Sequence, residues 1–271
     1  MNKILYALLT LVAATSCTGS YDIAGTSNVG TLDGRMLYLK ILNGTEFKTI
    51  DSCDVVHGQF HFNGALDTVR MANIFMDNDA VLPLVLESGT ISVKLDDAQQ
   101  TVSGTPLNEK LFAFFKKYQQ LQNQQRELVH RHDQAIMDGK DMEEVTRKLN
   151  AEAVTLADKE DKLVTGFITD NFDNPLGAGV FFLVTMGNQY PMLSPWIEDI
   201  MSKATDTFKS DPYVKDYYAK AQENQEIMNG TRDPQTGAPM PDMTQAPAPN
   251  AAPAPTPNEM ATPTIPAPHD K

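Results

Sequence analysis

The chain has 271 residues, with 22 Lys and Arg against 35 Asp and Glu, a formal net charge of −13 and two cysteines. That acidic balance excludes nucleic acid and anionic lipid headgroups as partners held by charge, since both require clustered Lys and Arg. The length, less a leader and a tail, is enough for one or two domains with a real core.

The amino terminus reads as a bacterial lipoprotein leader. Lys3 supplies the positive start, Ile4 to Ala14 the apolar stretch, and Ala14-Thr15-Ser16 the small residues before Cys17. Residues 1–16 are the expected signal peptide, cut before Cys17, whose thiol would carry diacylglycerol and whose amine would be acylated. Residues 17–20 form the tether. The apolar run is shorter than the roughly 20 residues a membrane span needs. With Cys17 committed to lipid, Cys53 is the single remaining thiol and has no internal disulfide partner.

From 21 to 105 the pattern alternates and is rich in turns, which predicts seven or eight short strands in an antiparallel β-sandwich or barrel. Leu37, Leu39 and Ile41 share one strand face, as do Phe60 and Phe62, and Ile91, Val93 and Leu95. Asn43-Gly44, His57-Gly58 and Ser88-Gly89 mark reversals.

At Thr105-Pro106 the period changes. Leu107, Leu111, Phe114, Tyr118, Leu121, Leu128 and Ile136 predict a long amphipathic helix from Pro106 to Met137, about 48 Å at about 1.5 Å per residue. Asp138-Gly139-Lys140-Asp141 breaks it. Met142, Val145, Leu149, Leu156, Leu163 and Phe167 then continue the seam on a second helix that folds back on the first. Asn174-Pro175, Ser194-Pro195 and Asp211-Pro212 each join a capping acceptor to a proline at the first helical position and predict three further helix starts. The helix from Pro175 to Met186 is apolar nearly all round, so it is the expected buried centre of a helical domain at 106–229. Asn229-Gly230 is its expected stop. Beyond it, 11 of the 17 prolines fall between Pro234 and Pro268, and residues 230–271 read as a disordered Pro/Ala-rich tail. The expected class is α+β.

No residue set is assigned to catalysis, a cofactor or a metal. Cys53 sits in an apparent strand from Phe47 to Val56, where a cysteine is usually a small core residue, and its flanking Asp51 and Asp54 oppose a thiolate. His130 and His132 on the long helix are two residues apart, so they face different ways and suit no metal pair. His132 falls on the seam as a polar register residue. Gly177-Ala-Gly179 follows no strand and is read as close helix packing rather than a phosphate cradle. Ser52 lacks a His and acid partner in motif context.

Tyr21-Asp-Ile-Ala-Gly25, Leu37-Tyr-Leu39, Thr49-Ile-Asp-Ser52 and Gly58-Gln-Phe-His-Phe-Asn-Gly64 together resemble a β-rich domain of unknown function. That domain is found at the N-terminus of Bacteroidetes envelope lipoproteins, ahead of a helical segment and a thioredoxin-like domain. The resemblance covers about residues 21–105 and, more loosely, the helical stretch to Met228. Oxidoreductase members of that group carry a Cys-x-x-Cys motif, absent here. Gly237-Ala-Pro-Met-Pro-Asp-Met-Thr244 looks like the opening of a thioredoxin-like domain and then passes into Pro-Ala repeats. Asp67-Thr68-Val69 resembles the O-glycosylation acceptor of the same bacterial group and makes Thr68 a candidate. The resemblance further implies an outer-membrane location facing the periplasm, because no acidic cluster follows Cys17.

The resulting expectation is a non-enzymatic lipoprotein, anchored in the membrane through Cys17, that binds or scaffolds an envelope protein, peptide or glycan. The alternatives are an accessory part in thiol-disulfide exchange through Cys53, and a cell-wall spacer built on the Pro-rich tail.

Overall fold

The structure is a computed structural model that describes residues 19–233 except 45, 97–99 and 189. The leader, Cys17 and the tail beyond 233 lie outside the described residues. The described residues up to Gln225 fall in one compact unit, and those from Glu226 on belong to a second.

Eight strands come first: β1 (Gly19–Ser27), β2 (Met36–Asn43), β3 (Glu46–Asp54), β4 (Gln59–Leu66), β5 (Arg70–Met76), β6 (Asp79–Leu86), β7 (Gly89–Leu95) and β8 (Gln100–Ser103). They form two four-stranded sheets, ordered β4-β1-β7-β8 and β3-β2-β5-β6. The chain crosses between sheets repeatedly, so half of the six neighbouring pairs join strands that are not consecutive in sequence. Six strand pairs run antiparallel or parallel as the crossings dictate. β1 and β7 are parallel, Tyr21 opposite Gly89 through Ser27 opposite Leu95, and the remaining pairs are antiparallel.

The turns follow their residues. Asn43 pairs with Glu46 beside Gly44 at φ +68°. Between β3 and β4, His57 (φ +52°) and Gly58 (φ +70°) both take positive φ inside the Val56–Gln59 bridge. Two positive φ values are the requirement of the tightest hairpin turns, which match the natural twist of the strands they join.

The inward faces of the two sheets make one apolar core. Ile23, Leu37, Leu39, Phe62, Ile74, Leu84 and Ile91 are fully buried there. β6 is covered on both faces, since Leu84 and Leu86 point into the sandwich while Val85 joins the helical core behind it. This explains its near-continuous apolar sequence, the mark of a strand with no wet face.

Six helices follow: α1 (Pro106–Met137), α2 (Met142–Thr169), α3 (Pro175–Thr185), α4 (Pro195–Lys203), α5 (Asp206–Ser210) and α6 (Pro212–Met228). Asn174 and Ser194 cap as their sequences imply, accepting from the Leu176 and Ile197 amides. Asp211 Oδ1 accepts from the amides of Tyr213 (3.0 Å) and Val214 (3.2 Å). The short α5 was not foreseen; it is capped by Thr205 without a proline. α1 and α2 pack as an antiparallel hairpin: Gln122 and Gln125 reach Glu160, and further out Arg131 grips both oxygens of Glu152 at 2.6 and 3.0 Å.

One seam position is corrected. Ile136 is 55 % exposed and Ala135 is buried instead. A helix advances about 3.6 residues per turn, so a seam extrapolated from Leu107 drifts by a residue at its far end. The following turn closes over Ala135, whose carbonyl accepts from Lys140 N–H at 3.0 Å. His132 is half-buried and lies 3.4 Å from its neighbour Asp133.

The helical core is centred on α3, with Leu176, Val180 and Phe181 fully buried. Phe181 stacks on Trp196, whose indole donates to Thr165 Oγ1 at 2.7 Å. No residue from 119 to 162 contributes to either of these two cores, so the outer half of the α1–α2 hairpin rests on its own contacts.

Sheet and helices are joined by a buried polar knot. Asn108, fully buried in the first turn of α1, uses its side-chain amide as a substitute strand. Its Oδ1 accepts from Val85 N–H and its Nδ2 donates to Val85 C=O, both at 2.8 Å. Val85 lies on edge strand β6, whose outward backbone groups would otherwise be orphaned under the helices. Glu87 Oε1 accepts from the amides of Leu107 (2.9 Å) and Asn108 (3.0 Å). It does the work that the preceding residue, Thr105, leaves undone, for Thr105 makes no side-chain cap bond.

Candidate functional site

Where β2 and β5 face α3 and α6, the two layers do not close. A cavity of about 220 Å³ remains, bordered by Leu42 and Met71 from the sheet, Phe182 and Leu183 from α3, and Tyr213 from α6. Strand alternation puts Leu42, Met71 and Asn73 on the outer face of their sheet, away from the sandwich core. α3 is apolar all round, but only part of its circumference is consumed by the helical core. Phe182 and Leu183 are half-buried and form one wall. Gly179 brings that wall close to the sheet, since a Cβ there would meet Met71 Cγ at 2.4 Å. Gly177 instead lets α3 approach the turn after α2, where a Cβ would meet the carbonyl of Asn171 at 2.5 Å.

The polar groups at this cavity are few. Asn73 lines it, is only 6 % exposed, and its amide has no hydrogen-bond partner among the described residues. The amide atoms keep access to solvent through the cavity, so they present a donor and an acceptor to it. Arg70 borders this space but, on the opposite face of β5 from Met71 and Asn73, also lines the mouth of the sandwich with Asp51 and Asp67. Its guanidinium is steered by Thr68, through Nη2 to Oγ1 at 2.8 Å and Nε to the carbonyl at 3.4 Å, and it forms no ion pair among the described residues. Asp211 borders it too, with one oxygen spent on the α6 amides. Tyr213 closes one side and shares a 3.0 Å hydrogen bond with Thr185 Oγ1. Burial pushes the Tyr213 hydroxyl up from its ordinary pKa, against the hydrogen bond from Thr185. It therefore stays a neutral donor and acceptor at physiological pH.

The residues singled out from the sequence lie elsewhere. Cys53 is a free, half-buried cysteine on β3 that packs against the sandwich core. Burial pushes its thiol up, and Asp51 and Asp54 add to that, against a lowering hydrogen bond from the His61 backbone. Thr68 is exposed in the loop between β4 and β5, and it touches the cavity only through Arg70. His61 pairs with Asp22 on the exposed face of the other sheet, and Thr90 Oγ1 donates to the second oxygen of Asp22 at 3.3 Å. The aspartate sits between the hydroxyl and the imidazole there. A nucleophilic relay needs the imidazole in the middle. No group of three or more metal-ligating side chains occurs among the described residues. No helix among them is long and apolar enough to cross a membrane.

Asn73 and Arg70 were not singled out from the sequence. The available signal was a polar residue at every-second-residue spacing with Met71 and Phe75, in a strand whose outer face has to meet apolar helices.

Residues 21–111 match the model of a domain of unknown function, DUF4369. The match spans the sandwich from Tyr21 on and continues into α1 as far as Leu111, so it takes in Asn108 and the knot with Val85 and Glu87. No curated protein and no solved structure matches the chain.

Proposed function

We propose that this chain is a lipid-anchored protein of the bacterial envelope that binds a partner protein, peptide or glycan and does not transform it. The observation that carries the reading is the cavity between sheet and helices, with largely apolar walls and the Asn73 amide presented to it. Such a site recognises shape and hydrogen-bonding pattern. Its neighbours Arg70, Asp211 and Tyr213 include no nucleophile placed beside a base.

The tether rests on the leader sequence ending at Cys17. Acylation there holds the protein to the outer membrane on its periplasmic side, and an O-linked sugar on the exposed Thr68 would add solubility beside the cavity rim. The companion idea, thiol-disulfide exchange through Cys53, is disfavoured by a thiol pushed up by burial and two carboxylates, because the thiolate is the reacting species.

The test is an envelope pull-down with the purified chain as bait, followed by turnover assays with thiol, ester and glycoside substrates. A partner recovered in stoichiometric amount with no turnover supports the reading. Turnover that disappears on mutating a named residue overturns it. Intact-mass analysis of the native polypeptide reads the acyl groups on Cys17 directly.

A further inference from the structure

We propose that the outer half of the α1–α2 hairpin binds a second copy of this chain, the two hairpins lying antiparallel across one another as a four-helix bundle centred on Val129 and Val154. The surface lies apart from the α3 cavity and does not depend on the binding reading above.

The hairpin has two broad faces. One is the groove lined by Glu127, Arg131, Glu152 and Lys159, where Arg131 and Glu152 tie the helices together. At about 3.6 residues per turn, the opposite face carries a stripe on each helix at alternating steps of three and four. On α1 it runs Gln122, Arg126, Val129, Asp133 and Ile136, and on α2 Arg147, Asn150, Val154, Ala157 and Asp161. The middle of this face is apolar and bare. Val129 is 62 % exposed and Val154 71 %, with Ala153 and Ala157 exposed beside them. Neither core of the fold includes these residues. Steps of three and four are the spacing by which one helix of a bundle receives another.

The charges identify the occupant. On each helix the apolar centre has an arginine to one side and an aspartate to the other: Arg126 and Asp133 about Val129, Arg147 and Asp161 about Val154. A two-fold axis crossing the face at these valines reverses each helix onto its own copy. Arg126 then meets Asp133 of the second copy, and Arg147 meets Asp161 of the second copy, each pair twice. Both arginines are free to do so. Arg126 bonds only Asn123 of its own helix, and neither arginine forms an ion pair among the described residues. A uniformly acidic or basic partner would meet like charges at half of these corners, whereas a second copy carries the required alternation by construction.

The reach fits as well. With the axis at Val129, the Met137 end of one tip lies over Gln122 of the other, short of Tyr118, where packing against the helical core begins. The overlap is about 24 Å long at about 1.5 Å per residue and two helices, about 20 Å, wide. Covering it on both copies removes on the order of 1,000 Å² from water, the size of a weak and reversible interface.

The test is sedimentation velocity of the full chain in density-matched detergent, from about 1 to about 300 µM. Expected is a reversible monomer–dimer equilibrium with a micromolar Kd, weakened about tenfold or more by Val129→Asp and by Val154→Asp. Arg126→Asp or Asp133→Arg alone sets like charges against each other at two symmetry-related corners and should weaken the dimer about fivefold; the two exchanges together restore opposite signs and should return the affinity. Amide exchange across the tip should slow as the dimer forms. Unchanged circular-dichroism melting separates lost association from lost folding, and should a valine variant melt early the charge exchange still decides. A chain that stays monomeric across the range overturns the proposal, as does a dimer indifferent to both valines. Failure of the double exchange to restore affinity overturns the antiparallel register.

Discussion

Tyr21 on β1 stands directly opposite Gly64 on β4, and its ring lies across the glycine so closely that a Cβ built there would meet the phenolic oxygen at 2.5 Å. Four residues along, the roles reverse. Gly25 on β1 faces Phe60 on β4, whose ring atoms would sit 2.1 Å from an added Cβ. Each aromatic therefore packs over the bare backbone of its cross-strand glycine, and the reciprocal pair locks the register of two strands from different parts of the chain.

Enlarging either glycine drives a ring out of the core. Gly25→Val and Gly64→Val should each destabilise the fold by about 2–3 kcal/mol, the range of overpacked cores. Urea unfolding followed by circular dichroism reads the shift. A midpoint unchanged in both variants would show that the rings are free to move aside.

The knot between Asn108, Val85 and Glu87 makes a graded prediction. Asn108→Leu leaves the buried N–H and C=O of Val85 without partners and should cost about 2–4 kcal/mol. Glu87→Ala removes a helix cap and should cost about 1–2 kcal/mol, while Glu87→Gln keeps an accepting oxygen and should cost less. The order Leu at 108, Ala at 87, Gln at 87 in denaturant midpoints is the check.

The Cys53 thiol is pushed up by burial first and by Asp51 and Asp54 next. At neutral pH it should alkylate more slowly than a free-thiol peptide, with the rate climbing as the pH is raised past the ordinary thiol range. Cys53→Ser should leave partner recovery unchanged. Fast labelling at neutral pH, or a partner trapped as a mixed disulfide, would restore the exchange role.

Tyr21, Tyr118 and Tyr213 are all held above the ordinary tyrosine value, in each case by burial first. A raised folded value means that the neutral form is favoured by folding. That contribution is intact below the unfolded value of about 10 and is lost as the pH rises through the folded values. Ultraviolet titration should show a fraction of the 8 tyrosines ionising late and together with alkaline unfolding. Tyr213→Phe should soften the alkaline loss.

Local signals proved the most readable. Three helix starts were legible because a side-chain acceptor followed by proline leaves few alternatives, and α1 runs between the bounds that its apolar spacing implies. The hairpin turn at His57-Gly58 was legible because glycine takes positive φ freely. α5 was not, because five residues give too short a period to detect. The parallel pairing of β1 with β7 joins segments about 70 residues apart, and no short-range pattern specifies it. Asn73 escaped for a related reason: its strand announced itself, but its isolation arises only when α3 lies across it. Cys53 drew notice as a lone thiol, and its surroundings follow from the two aspartates beside it in the chain.

The outer half of the α1–α2 hairpin borrows no shelter from the rest of the molecule. Its amide hydrogens should therefore exchange with solvent well before those of β2 or α3, and a protease nick at the Asp138–Asp141 bend should leave the sandwich and the α3 cavity working. The molecule can fray at that tip while the sandwich and the packing around α3 stay folded.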